Sequence, residues 1–236
     1  MYKYETHMHT KPVSICAKTG VRQSLEAYKA MGFAGVFVTN HFIDGNISAD
    51  KNLSYAEKLD FYFSDYEEAK ALEEELGIQV FLGVEMSYKG TDFLIYGLDK
   101  AWYLAHPEIE DMKKTDELTL LAEAGALIIQ AHPFREARYI DHIRLFPRHV
   151  HGVEVYNGCR TEFENRMALQ YADHYGLLHF AGTDNHKAGL TDFSTGLTPQ
   201  KHYGGMETET PIRDEADFIA RVLDGRMRPF CVELED

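Results

Sequence analysis

Hydrophobic positions in this chain switch repeatedly between a helical period and the alternating or continuous pattern of strands. The chain opens on a strand that carries Glu5-Thr6-His7-Met8-His9-Thr10, followed by a loop over residues 11–20. Val21, Leu25, Tyr28 and Met31 then recur at helical spacing and stop at Gly32, which predicts a helix over 21–31. Residues 33–39, Phe-Ala-Gly-Val-Phe-Val-Thr, read as a buried strand that ends on Asn40-His41. The pattern breaks over 42–63, where Phe42, Tyr55, Phe61, Tyr62 and Phe63 predict a long aromatic loop, packed on the scaffold or acting as a lid. Ser64-x-x-Glu67 reads as a capping box that starts a helix over 64–76, closed by Gly77.

Residues 79–88 alternate so that Phe81, Gly83 and Glu85 share one face while Val80, Leu82, Val84 and Met86 share the other. Lys89-Gly90 predicts a hairpin turn into a fourth strand over 92–98, with Asp99 just past it. A helix over 115–124 and a strand over 126–130 follow, and the strand runs into Ala131-His132-Pro133-Phe134-Arg135. Next come a strand over 150–155 ending near Glu154, Tyr156 and Asn157, a helix over 163–175, and a strand over 177–181 leading into Gly182-Thr183-Asp184-Asn185-His186. A glycine-rich loop at Gly204-Gly205, a helix over 214–223 and a strand over 228–232 complete the chain. Alternating β and α elements predict an α/β fold around a parallel sheet, open or closed into a barrel, with residues 1–236 as a single domain.

Candidate chemistry falls where strands end and the chain leaves for the next helix, the rim on which such folds place their sites. His7 and His9 lie two apart on a strand, so their rings share one side. His41, Glu85, His132 and the Asp184-x-His186 pair occupy the ends of later strands. A second His-x-His, His149-Val150-His151, precedes its strand and is therefore assigned to the opposite end with no function. His142, His174, His179 and His202 are expected on the surface or on helices.

Composition narrows the classes. A formal charge of −14 opposes neutralising many phosphates along a nucleic acid backbone, but a small anion bound beside divalent cations is compatible with it. Three scattered cysteines, Cys16, Cys159 and Cys231, indicate neither a disulfide framework nor a zinc knuckle. No apolar run is long enough to span a bilayer and no secretory h-region opens the chain, so the protein is expected to be cytoplasmic. No phosphate-cradling glycine motif or Gly-x-Ser-x-Gly elbow is present.

The order His7-x-His9, Thr39-Asn40-His41, Gly83-Val84-Glu85, Ala131-His132-Pro133 and Thr183-Asp184-Asn185-His186 resembles the PHP (polymerase and histidinol phosphatase) family over nearly the whole chain. The resemblance implies a distorted (β/α)7 barrel and a metal-dependent phosphoesterase with two or three ions at the C-terminal ends of the strands. It places His7, His9, Glu85 and Asp184 on one ion, Glu85 and His132 on a second, and His41 and His186 on a third. Imidazole nitrogens with a few carboxylates suit Zn, Fe or Mn rather than Mg or Ca.

The chain departs from the family at Asn40, where an acid is usual. It also departs at Cys16, near a position often held by an Asp or His ligand, and at Gly97-Leu98-Asp99, where some members carry a histidine. Cys16 is a ligand or a buried inert thiol, and Asp99 a ligand or a turn residue. The expected reaction is hydrolysis of a small phosphate monoester or phosphodiester by in-line attack of metal-bound hydroxide. Arg135, or less directly Arg160, would fork onto the phosphate, and His186 or His41 would protonate the leaving oxygen. Cys159 is assigned a structural role. The alternatives are an amidohydrolase-type C–N or C–O hydrolase, and a metal-binding regulatory protein without turnover.

Overall fold

The computed structural model of the chain describes residues 1–189 and 201–233. Nine strands form one sheet in the order β7-β6-β5-β4-β3-β2-β1-β8-β9. They are β1 (Tyr2–Met8), β2 (Gly35–Val38), β3 (Gln79–Tyr88), β4 (Thr91–Tyr96), β5 (Leu127–Ala131), β6 (Gly152–Asn157), β7 (Leu178–Gly182), β8 (His202–Thr208) and β9 (Arg228–Glu233). The helices are α1 (Val21–Ala30), α2 (Tyr55–Leu76), α3 (Lys100–Ala105), α4 (Lys114–Glu123), α5 (Glu162–Tyr175) and α6 (Glu215–Leu223), with a 3₁₀ turn over Pro107–Asp111.

β1, β2 and β3 pair in parallel, as do β5, β6 and β7. β4 joins the two sets by pairing antiparallel with both β3 and β5. The sheet curls until the exit of β7 meets β1 and β8. Met8 bridges Asn185, and the Thr183 hydroxyl accepts from Gly204 N at 3.0 Å. The result is the expected distorted barrel, nearly closed, with its distortion traceable to the inserted hairpin strand and the β8–β9 pair.

Alternation along the strands sorts side chains between the barrel interior and its coat. Tyr4, Phe37, Phe81, Leu94, Tyr96, Ile129 and Phe180 fill the interior together with Phe218 of α6. The opposite faces of β3, β4 and β5 send Leu82, Val84, Phe93, Ile95 and Ile128 outward against Leu59, Tyr62 and Phe63 of α2 and Leu118 and Leu121 of α4. α1 covers β1 and β2 through Leu25 and Tyr28, packed with Val36 and Val38.

Three sequence expectations change. The capping box that starts α2 is Ser54 with Glu57, ten residues before the expected one, and Ser64 instead donates to the Phe61 carbonyl inside the helix. Leu59, Tyr62 and Phe63 stand at helical spacing and are buried, so the aromatics expected of a loop over 42–63 include one helical face in the core. Irregular backbone is confined to residues before Ser54, and Phe42 within it is buried in the same cluster, which is packing rather than a lid. Gly204-Gly205 is strand, not loop: a Cβ on Gly205 would lie 2.1 Å from the Tyr4 carbonyl, so glycine lets β8 approach β1.

Candidate metal centre

His7 and His9 leave β1 with their rings together, 3.3 Å apart between Nε2 atoms. Four other chain segments converge on them. Glu85, from the interior face of β3, lies 3.1 Å from His7 Nε2, 3.4 Å from His9 Nε2, 2.6 Å from His41 Nδ1 and 3.5 Å from His132 Nε2. Asp184, just past β7, lies 3.3 Å from His9 Nε2 and 3.6 Å from His7 Nε2. Ligand atoms group as His7-His9-Asp184, His7-Glu85-His132 and His9-His41-His186, each set within 4.8 Å. All seven residues expected as ligands, His7, His9, His41, Glu85, His132, Asp184 and His186, therefore meet at one rim.

These groups fit a cation better than they fit one another. Both Glu85 oxygens, His41 Nδ1 and His132 Nε2 are buried without a hydrogen-bond partner, because the close approaches above lack hydrogen-bond geometry. Unpartnered nitrogen and carboxylate oxygen atoms gathered at one rim form a donor set that could hold a metal ion.

The backbone is held to this shape at a cost. His132 and Asp184 have positive φ values of 26° and 58°, a region that non-glycine residues adopt rarely. The Asp184 carbonyl accepts from Cys159 Sγ at 3.2 Å and lies 2.7 Å from His186 Nδ1, so the structural role expected of Cys159 is to pin this turn.

Burial opposes charge here, and neighbours decide the outcome. Desolvation would neutralise His7, but the carboxylates of Glu154, Asp184 and Glu85 outweigh it and hold its pKa well above the usual range. His9 goes the other way: burial, and then His186 and His41, push its pKa well below. Burial would raise Glu85, yet His41, His7 and His9 hold it well below the ordinary carboxylate value.

Supporting residues surround the cluster. Glu154, fully buried on β6, lies 2.9 Å from His7 Nδ1 and accepts from His132 N at 3.1 Å and Asn157 Nδ2 at 2.8 Å, tying two of the histidines together. A Cβ on Gly182 would sit 2.6 Å from Glu154 Oε1 and 2.5 Å from His7 Cβ, so glycine is required for this pair to form. Glu5 accepts from the backbone of His7 and of Thr183, each at 2.9 Å, and from Tyr28 OH at 2.7 Å; burial pushes it up to about 7. Asn40 accepts from Thr10 N at 2.7 Å and from Ser14 Oγ at 2.9 Å, and Ser14 faces His9 Nδ1 at 3.2 Å. In place of an acid, Asn40 thus sets the loop that orients His9.

Sequence reasoning missed the roles of Glu154, Glu5 and Ser14. An acid within an apolar strand, as at Glu154, was the available signal.

A cleft of about 480 Å³ opens onto the cluster, lined by Cys16, His41, Glu85, Asp92, Arg135, Arg160, Asp184 and His186 among others. Arg135 reaches Asp92 Oδ2 at 3.4 Å and stacks its guanidinium 5.5 Å from the Tyr139 ring. Arg160 reaches Asp184 Oδ2, also at 3.4 Å. Burial resists ionisation of the Cys16 thiol, but the neighbouring His186 and His41 outweigh it and bring it down to about 6.

Asp99 is corrected. It is exposed and caps α3 by accepting from Trp102 N at 2.8 Å. β4 runs antiparallel to β3, so its end lies at the rim opposite the cluster. His151 Nδ1 accepts from Ile128 N at the start of β6, away from the site, and His142, His174 and His179 are exposed.

Neither protein-family models nor curated proteins give a match to this chain. Solved structures do. A two-domain protein from Bacteroides vulgatus, described as containing a predicted PHP-like metal-dependent phosphoesterase, aligns over 97% of this chain with a TM-score of 0.64 and 18% identity. The chain spans 64% of that protein's length. A lesion-specific endonuclease from Pyrococcus furiosus aligns over 94% of the chain and 55% of its own length, with a TM-score of 0.57 and 11% identity. An amidohydrolase from Chromobacterium violaceum, with bound sulfate and no metal, covers 95% of the chain and 97% of its own, with a TM-score of 0.54 and 16% identity. With its motifs at the strand ends of this barrel, the chain has the fold of the PHP-like metal-dependent phosphoesterases.

Proposed function

We propose that this chain is a metal-dependent hydrolase of a phosphate ester, a small monoester or phosphodiester. The observation that carries the reading is the pair of arginines: Arg135 and Arg160 enter the cleft from two strand exits, each with one arm on a carboxylate of the rim. An acidic chain that directs two guanidiniums at its own ligand cluster is arranged for an anionic substrate.

His7, His9, Glu85 and Asp184 would hold one ion, Glu85 and His132 a second, and His41 and His186, with Cys16 beside them, a third. Nitrogen-rich donors favour Zn, Mn or Fe. Bound divalent ions supply an activated water near neutral pH and Lewis-acid contacts to phosphoryl oxygens. The arginines orient the phosphate, and Glu154 and Glu5 keep the ligand strands in register. His186 or His41, whichever is free of an ion, protonates the leaving oxygen.

The test is elemental analysis of protein purified without added metal, followed by phosphate release on the same preparation. Arg135→Ala and Arg160→Ala should each lower kcat/KM by about 100-fold while leaving metal content intact. Activity on amides or lactones with none on phosphate esters would instead establish the C–N or C–O hydrolase, a reading favoured by the amidohydrolase of similar fold. Tight binding of phosphorylated metabolites without turnover would establish a regulatory protein. Oligonucleotides belong in the panel: the charge of −14 opposes backbone tracking, yet an endonuclease shares the fold.

A further inference from the structure

We infer that Asp65, a buried carboxylate on α2, is a positioning residue for the metal centre: acting through Asn40 and Ser14, it sets His9 with a hydrogen on Nδ1 and leaves Nε2 free for an ion. The inference rests on the metal-binding reading above. Asp65 is buried with Leu59, Tyr62 and Phe63 of the same helix and is 1% exposed. Its Oδ2 accepts from Thr10 Oγ1 at 2.7 Å, Asn40 Nδ2 at 3.0 Å and Val13 N at 3.3 Å. These donors are neutral, so directional bonds rather than a salt bridge offset the desolvation of the carboxylate. One turn earlier, Tyr62 OH donates to the Asn40 carbonyl at 3.0 Å, so α2 grips residue 40 by both backbone and side chain.

Each link from Asp65 to His9 has a fixed direction. The Thr10 hydroxyl spends its hydrogen on Asp65 and so accepts from Asn40 Nδ2, at 2.9 Å. Asn40 Oδ1 accepts from Thr10 N at 2.7 Å, and reversing the amide would set that oxygen against the carboxylate and the NH2 group against an N–H. Held this way, Oδ1 takes the Ser14 hydroxyl hydrogen at 2.9 Å. Ser14 Oγ is left with lone pairs alone, one accepting from His41 N at 3.1 Å and the other facing His9 Nδ1 at 3.2 Å. That nitrogen must therefore carry a hydrogen. His9 Nε2, 3.3 Å from Asp184 Oδ1 and 3.4 Å from Glu85 Oε2, is then the bare atom turned to the cluster.

The competing role for Asp65 is to staple the loop after β1 to α2, through Val13 N and Thr10, with no bearing on the histidine. Loss of a staple lowers stability. Loss of a positioning group also changes the tautomer of His9 and its hold on an ion, and it does so only while Ser14 is present to transmit the change.

Wild type, Asp65→Ala, Asp65→Asn, Ser14→Ala, the two double variants that join Ser14→Ala to each change at 65, and Arg221→Ala are titrated with Zn²⁺ calorimetrically. The metal-free proteins are also read by ¹⁵N NMR of their imidazoles. Asp65→Ala and Ser14→Ala should each weaken Zn²⁺ binding by at least about 10-fold, and their double variant should match Ser14→Ala within about twofold. Asp65→Asn, which keeps an acceptor but not the charge, should fall between wild type and Asp65→Ala, and it carries the cycle if the alanine variant does not fold. Arg221→Ala, which breaks a buried ion pair with Asp217, should keep wild-type affinity, separating lost stability from lost positioning. Metal-free wild type should show His9 with its hydrogen on Nδ1, and Asp65→Ala a mixture of tautomers. Wild-type affinity in both variants at 65, losses that add to that of Ser14→Ala, or a wild-type His9 with its hydrogen on Nε2 overturns the assignment while leaving the proposed function standing. Wild-type protein that takes up no metal overturns both.

Discussion

Two buried charge clusters in this barrel are built on opposite plans. Around Arg221 of α6, each guanidinium nitrogen has an acceptor. Nε donates to Asp217 Oδ1 at 3.0 Å, one terminal nitrogen to the Thr210 carbonyl at 2.7 Å, and the other to the Pro211 carbonyl at 3.0 Å, lying also 2.8 Å from Asp217 Oδ2. At the rim of β1, β3 and β7, by contrast, carboxylates and imidazoles crowd together and leave Glu85, His41 and His132 unpartnered. Satisfied groups stabilise the fold, whereas unsatisfied ones hold binding energy in reserve for a ligand. The difference separates a cluster satisfied by its own partners from one left open to a ligand, even where both are buried and charged.

Removing metal should break the comparison most severely. Exhaustive chelation is expected to abolish hydrolysis and, at ion concentrations about 1,000 times Kd before chelation, to remove about 4 kcal/mol of stability. Thermal scans with and without chelator would show a fall of roughly 10 °C. Unchanged melting with full activity would remove the ion from the account. His7→Ala combined with His9→Ala should behave as the chelated protein does, with metal content as the readout.

Arg221→Ala probes the other cluster. It leaves the buried Asp217 carboxylate with Arg213, at 3.3 Å, in place of its closer pair with Arg221 and should cost about 3 kcal/mol in urea denaturation, with metal content unchanged.

A pH series sharpens the contrast further. Burial opposes ionisation of Asp217, but its bonds to Arg221 and Arg213 outweigh that and hold its pKa below the ordinary carboxylate range. A depressed folded pKa contributes stability above the unfolded value of about 3.9, and that stability is lost as pH falls through the folded value. Asp217→Asn should therefore be less stable than wild type by about 2 kcal/mol at pH 7, with the gap shrinking below about pH 4. A gap that widens in acid would contradict the sign.

The smallest effect belongs to the second histidine pair. His149→Ala with His151→Ala should cost about 1 kcal/mol, the hydrogen bond from Ile128 N, and leave ion content and turnover as they are. If this pair empties the site instead, the strand-end argument is wrong.

Much of this was legible before any coordinates. The expected limits of β3 match those found, as does the face that carries Phe81, Gly83 and Glu85. Each expected ligand reaches one rim because a parallel β-α alternation returns every strand end to the same side. What misled was local. Two Ser-x-x-Glu patterns, at Ser54 and Ser64, are equally good capping boxes by sequence, and only packing of Leu59 and Tyr62 selects the first. Asp99 drew attention by following a strand, but an antiparallel strand reverses the rim, so Asp92, near the strand's start, is the one beside the cluster.

The chain by itself determined the β-α order, the strand faces and the set of histidines and acids at strand ends, because these depend on period and position within single elements. Tertiary structure alone decided which of those groups share a nitrogen or an oxygen, that Glu154 joins His7 to His132, and that the buried rim is left unsatisfied. Such facts depend on distances between segments as far apart as residues 7 and 184, which no local pattern encodes.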